Sequence, residues 1–295
     1  MIKRTVSIEN PAYLSVRDKQ LIIKRESAEE VSVPIEDLGF LILDNAQITV
    51  TKPALASLLE NNTALIVTDE KHMPSGMLMP LSGNTLQGER FRHQINSSLP
   101  LKKRLWQQII KKKIKNQGRL LHSLDLKDAY LKRLIPKVKS NDSTNMESVA
   151  AKYFWKHFVT IPGFRRERFG DPPNNMLNYG YAILRAIIAR SLVGSGLLPT
   201  IGIHHKNRYN AYPLADDIME PYRPFVDDIV LQLSAVSKKE NELTPEVKRE
   251  LLSIPQRGVI MDGEKSPLLI AASKKSSSLY KCFSGESKNI AYPLL

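Results

Sequence analysis

The chain of 295 residues has one cysteine, Cys282, so it can form no internal disulfide and carries no paired-cysteine zinc pattern. No run of 18 apolar residues occurs, and MIKRTVSIENPAYLSV at the start lacks the unbroken apolar core of a signal peptide. A cytoplasmic protein with no membrane association is therefore expected. Low-complexity tracts and repeats at solenoid periods are also missing, as are a Cys/His finger, a heptad zipper and an HExxH pair. Acidic residues are scarce in one place above all. Residues 86–140 hold 15 Lys and Arg against three Asp and Glu, and this band supplies most of the net charge of +13.

Hydrophobic residues make up 42% of the chain, enough for a sizeable core in two domains. Strand-length apolar runs fill the first 80 or so residues: YLSVRDKQLIIKR, EVSVPI, GFLILDNAQITV and TALIVTD. One helix, KPALASLLENN, interrupts them. The composition then changes across SGNTLQGER to helical periodicity. The expected architecture is α+β: a small β-rich N-terminal domain over residues 1–83, a linker over 84–90, and a larger all-helical catalytic domain over 91–295. Thr244-Pro245 reads as the cap and first turn of a late helix.

Within LPLKKRLWQQIIKKKIKNQGRLL, Leu101, Leu105 and Ile109 share one face, while Arg104, Lys111, Lys112, Lys115 and Arg119 lie on the other. With Lys102 and Lys103 they form a cationic stripe that a polyanion would neutralise; a solvated face or a membrane surface are the other readings. Without a base-reading module, contact is expected with backbone and shape. Arg165, Arg166 and Arg168, set between Phe164 and Phe169, form a second basic cluster, either a phosphate clamp or a surface loop.

Three acids and two histidines crowd into GIHHKNRYNAYPLADDIMEP at 202–221. In a helix, Asp217 and Glu220 stand three apart and Asp216 and Glu220 four apart, so either aspartate can share a face with the glutamate. Such a pair is either a solvated helix face or a cation site, and Pro221 bends or stops the helix after it. Glu147 fits the spacing of a capping box with Thr144, a purely structural reason for a glutamate there.

Taken together, Glu147 in NMESVAAKYFW, the G-x-x-H of GIHH ending at His205, and the D-x-x-E of LADDIMEPYRP resemble the CRISPR-associated protein one family. DPPNNMLNYGYAILRA and the C-terminal DGEKSPLLIAASKKSSSLYKCFSGESKNIAYPLL extend the likeness almost end to end, the latter looking like the type II branch. The resemblance implies a metal-dependent DNA integrase and endonuclease of CRISPR adaptation. Such an enzyme would join prespacer 3′-hydroxyl ends to the repeat strands of a CRISPR array. Glu147, His205 and Glu220 would hold Mg²⁺ or Mn²⁺, with Asp217 as an assisting acid and His204 and Asp216 without a direct role. The family's last ligand is often aspartate, and Glu220 stands in its place here. The implied partners are double-stranded DNA (prespacer and repeat), a second copy of the chain docked through the β-rich domain, and CRISPR-associated protein two. A type II effector nuclease and an accessory adaptation factor would join them. The competing reading is a non-catalytic basic nucleic-acid-binding protein.

Overall fold

The computed structural model describes residues 3–26, 28–70, 72–159, 164–167, 170, 172–236 and 243–295. The chain divides into two compact units, Met1–Thr85 and Leu86–Leu295.

The first unit contains β1 (Arg4–Ile8), β2 (Ala12–Arg17), β3 (Gln20–Arg25), β4 (Ala28–Pro34), β5 (Leu38–Leu43), β6 (Ile48–Val50), α1 (Lys52–Glu60), β7 (Ala64–Thr68) and β8 (Pro74–Leu78). One sheet runs β1-β5-β7-β8 and the other β4-β3-β2-β6. In the first, β5 lies parallel between β1 and β7. LGFLIL is accordingly apolar without alternation, as a strand buried on both faces must be. YLSVRDKQLIIKR is a hairpin in which Asp18 and Lys19 both take positive φ and Arg17 pairs with Gln20, the geometry of a type I′ turn. Leu14, Leu21, Ile23, Leu38, Leu41 and Leu65 meet Ala54 and Leu58 of α1 in one core.

The second unit is built from α2 (Gln87–Ile95), α3 (Leu99–Ser123), α4 (Ala129–Leu134), α5 (Met146–Phe158), α6 (Asn174–Gly194), α7 (Pro213–Met219), α8 (Arg223–Val236), α9 (Pro245–Leu252) and α10 (Leu268–Phe283). Between α9 and α10 lies the hairpin β9 (Gly258–Met261) and β10 (Glu264–Pro267). The α+β class holds, but the second domain is not all-helical, because Asp262 and Gly263 both adopt positive φ and turn VIM back on itself. Likewise α2 begins inside the 84–90 stretch read as linker; Arg90 of this helix donates to the Ser195 carbonyl, which ties the stretch to the helical unit.

Helix α6 is buried on nearly every face and packs against α7, α8, α9 and α10. Its approach to α8 depends on Gly180, where a Cβ would come within 2.5 Å of Val226 Cγ1. Ser98 caps α3 by accepting from the Leu101 amide, and Thr244 caps α9 by accepting from Val247. No helix among the described residues is long and apolar enough to cross a membrane.

Candidate active site

Four segments of the helical unit converge. Helix α3 contributes Trp106 and Lys113, seven residues apart and so two turns along one face. Both are buried, Trp106 at 1% and Lys113 at 9% exposure. Lys113 continues the Leu105–Ile109 ladder as a cation on the apolar stripe.

Helix α5 presents Glu147 from its first turn. The capping-box reading fails here. Asp142, not Thr144, satisfies the helix start: its two carboxylate oxygens accept from the Met146 and Glu147 amides, each at 2.9 Å. Thr144 Oγ1 instead donates to the Lys137 carbonyl. The Glu147 side chain is thereby free to meet Lys113, whose Nζ lies 2.7 Å from Oε1.

The loop before α7 is templated from α2, where buried Gln94 donates to the Leu198 and Ile201 carbonyls and accepts from the Leu198 amide. At Gly202 a Cβ would stand 2.5 Å from the His205 carbonyl and 3.0 Å from Asp217 Oδ2, so the turn needs glycine. His204 stacks flat on the Trp106 indole, centroids 4.2 Å apart, and His205 meets the same indole edge-on at 5.7 Å.

Asp217, without solvent exposure, holds this loop. Its Oδ2 accepts from the Ile203 and His204 amides at 2.6 and 2.9 Å, and its Oδ1 from the His205 amide at 3.2 Å and His205 Nδ1 at 2.6 Å. With a carboxylate as acceptor, Nδ1 carries the proton and Nε2 is the nitrogen left to bind. Its hydrogen bond to Asp217 raises the His205 pKa, while burial lowers that of His204. Asp216 faces elsewhere and is held by Arg185 and Asn210.

After α7 the chain passes through a 3₁₀ turn at Glu220–Tyr222, where Pro221 has no amide to donate. Buried side chains serve the carbonyls around this bend: Lys275 donates to Ile218 and Asn116 to Pro221. Glu220 is thus fixed inward. Its Oε1 accepts from Arg223 Nε at 2.8 Å, and its Oε2 lies 2.6 Å from Lys113 Nζ. The second contact is a close ion pair, so the Lys113 ammonium is the partner of Oε2 in this buried position. Burial alone would raise the Glu220 pKa, but Arg223 and Lys113 outweigh it and hold the carboxyl well below its usual range. For Lys113 the same balance runs the other way: burial opposes the ammonium, and Glu220 and Glu147 raise its pKa nonetheless.

Glu147 and Glu220, distant in sequence, therefore meet on one cation. Side-chain exposure grades from 5% at Glu220 to 28% at Glu147 and 39% at His205, which places the open side at the last two. Among the described residues no three His, Cys, Asp or Glu side chains are grouped as a cation cage requires, and the Lys113 ammonium stands between the two glutamates. The donor set still fits a hard divalent cation: two carboxylates and an imidazole whose Nδ1 is fixed by a carboxylate.

Behind Arg223, the Tyr181 hydroxyl donates to Asp227, and the Arg166 and Arg223 guanidiniums flank the Tyr181 ring at 5.3 and 4.4 Å. Arg166 is further held by Asn174 and Asn178, which makes it an internal anchor. Arg165 is exposed, and Arg168 lies outside the described residues. On α3, Lys103, Arg104 and Lys115 are exposed and Lys102 and Lys111 half-buried. Arg119 donates to the Leu295 carbonyl and Lys112 lies over the Tyr292 ring, so these two are partly spent inside the fold. Lys113, Arg223, Asp142 and Trp106 are not candidates on sequence grounds; of the four, only Lys113 carries a signal, a lysine on an apolar stripe.

The family described as CRISPR associated protein Cas1 matches residues 6–253. A CRISPR-associated endonuclease Cas1 of Neisseria meningitidis serogroup C (strain 8013) is 34% identical over 280 residues, 94% of this chain and 91% of that protein. In fold, the chain is similar to a casposase bound to integration product, with a TM-score of 0.80 at 20% identity, covering 98% of this chain and 92% of that one. It is also similar to a Cas6-RT-Cas1–Cas2 complex chain, with a TM-score of 0.73 at 19% identity, covering 98% of this chain and 36% of that one.

Proposed function

The chain belongs to the CRISPR associated protein Cas1 family, and from that premise we propose that it is a divalent-metal-dependent DNA integrase and endonuclease of CRISPR adaptation. The observation that carries this reading is the meeting of Glu147 and Glu220 on a single cation. When bound by Glu147, His205 and Glu220, Mg²⁺ or Mn²⁺ supplies Lewis-acid polarisation of a phosphodiester.

The protein's own residues prepare that site. Asp217 fixes the His205 tautomer and, through three loop amides, its position. Asp142 fixes the start of α5 and hence Glu147. Arg223 and Lys113 bring positive charge to where a scissile phosphate would sit, which favours charge developing on its oxygens. In strand transfer the 3′-hydroxyl oxygen of a prespacer bonds to phosphorus and the bond from phosphorus to the repeat strand's 3′ oxygen breaks. The attacking hydroxyl gives up a proton and the departing oxygen gains one. Water as nucleophile yields hydrolysis instead. No covalent protein intermediate is needed, and no Ser/His or Cys/His pair lies in the cluster described.

The exposed cations of α3, with Arg165, supply the backbone-reading surface for duplex DNA. Similarity to a casposase bound to integration product supports integration as the reaction, and similarity to a Cas6-RT-Cas1–Cas2 complex supports CRISPR-associated protein two as partner. A homodimer through the β-rich unit, the type II branch, and an effector nuclease with an accessory factor complete the reading.

A strand-transfer assay tests it, with a labelled prespacer, a repeat-bearing target and the purified chain with its small partner. Joining in Mg²⁺ or Mn²⁺ that is abolished by EDTA and by Glu147→Ala supports the enzyme. Salt-sensitive DNA binding with no joined or cleaved product under any metal supports the non-catalytic reading instead.

A further inference from the structure

Lys113 touches both carboxylates expected to bind metal, at 2.7 Å from Glu147 and 2.6 Å from Glu220, and Arg223 holds the other oxygen of Glu220. Two carboxylates and two cations make this cluster electrically neutral as it stands. A divalent cation between the same carboxylates would add two charges to a buried group and leave the ammonium facing it. Like charges at that range repel strongly where water is excluded. Something negative must arrive for the loaded site to be balanced, and the reaction's own substrate is a phosphodiester.

We propose that Lys113 is an intramolecular competitor of the divalent cation: it bridges Glu147 and Glu220 in the free protein and yields them when a DNA phosphate takes over the ammonium. The inference rests on the reading of Glu147, His205 and Glu220 as metal ligands. Metal and DNA then bind cooperatively, each making room for the other, and the coupling is reciprocal. Lys113 acts here as a positioning residue. Lys113 is buried on the apolar stripe of α3 with Leu105 and Ile109, so methionine suits that position and removes the charge.

The test is Mn²⁺ binding to the full chain, read from the paramagnetic resonance of the free ion, with and without a duplex whose 3′ ends are dideoxy and cannot be transferred. The wild type is expected to bind Mn²⁺ about fivefold or more tighter with duplex, at the lower end of ordinary coupling between sites. Lys113→Met should bind about tenfold tighter than wild type without DNA and gain little from adding it. Lys113→Arg, which keeps the charge, should retain the weak DNA-free binding. Should the methionine variant fail to fold, Lys113→Gln removes the charge with a polar end and is read the same way.

The proposal is overturned if the uncharged variant binds Mn²⁺ no tighter than wild type, or if its affinity still rises with duplex as the wild type's does. Glu147→Ala separates the two levels. Loss of Mn²⁺ in that variant, with an unchanged Lys113→Met, removes the competition alone. Wild-type Mn²⁺ affinity in Glu147→Ala removes the metal site itself.

Discussion

The carboxylate of Asp217 accepts the Nδ1 proton of His205 at 2.6 Å from a position with no solvent exposure. The family resemblance implies an assisting acid at Asp217; the structure makes it the anchor of the histidine loop. Asp217→Asn puts an amide donor where three backbone amides and an imidazole all need an acceptor. The expected cost is about 1–3 kcal/mol of stability and roughly 10- to 100-fold in Mn²⁺ affinity. Thermal unfolding and Mn²⁺ titration of the variant measure both. Unchanged metal affinity would mean that His205 does not depend on this bond.

The start of α5 offers a sharp contrast between two candidate caps. Because Asp142 accepts from both Met146 and Glu147 amides, Asp142→Ala should cost about 0.5–2 kcal/mol. Thr144→Ala should stay within about 0.5 kcal/mol, because its hydroxyl serves only an exposed turn. Urea unfolding of the two variants decides the order, and a larger loss at Thr144 would restore the capping-box reading.

Asp227 gives the stability a pH dependence of unusual sign. Burial pushes its pKa up to about 7 from 3.8, with Tyr181, Arg223 and Arg166 opposing. Between those values the folded chain holds a proton that the unfolded chain has lost, so this group's contribution falls as pH rises from about 4 to about 7. Its size is on the order of a few kcal/mol. Asp227→Asn should flatten that slope and gain stability relative to wild type at pH 8. Denaturation midpoints at pH 5 and pH 8 provide the check, and a wild-type slope retained in the variant would place the titration elsewhere.

How much of the molecule is legible in its sequence differs by level. Strands, helices and caps follow local rules, so TALIVTD and Thr244-Pro245 announce themselves. The hairpin at Asp262-Gly263 is equally local, but the helical periodicity on either side of it hides so short a pair of strands. Helical spacing alone cannot choose between Asp216 and Asp217, because a helix lets either one share a face with Glu220. That choice is made by the loop, which turns back at Gly202 onto Asp217 while Arg185 occupies Asp216. Lys113 is visible as a lysine on an apolar stripe, but its partners lie on α5 and beyond α7. Arg166 reads as one of a cluster of three arginines, and only Asn174, Asn178 and Tyr181 show that it is spent inside the fold.

The basic residues should accordingly separate by measurement. Neutralising exposed Lys103 or Lys115 should lower the salt slope of duplex binding by about 0.9 for each phosphate that the side chain pairs with, with stability unchanged. Arg166→Ala should do the reverse, destabilising the fold by about 1–3 kcal/mol with little change in slope. Binding isotherms across a salt series, paired with thermal unfolding, distinguish the two classes.

The central claim is that Glu147, His205 and Glu220 hold one divalent cation. Anomalous diffraction from crystals grown with Mn²⁺ and a dideoxy-ended duplex tests it directly. The expected result is one Mn²⁺ peak within coordination distance of a carboxylate oxygen of Glu147, Nε2 of His205 and a carboxylate oxygen of Glu220, with Lys113 Nζ moved off the glutamates. A density map with no peak there, and Lys113 still bridging Glu147 and Glu220 beside bound DNA, would contradict it.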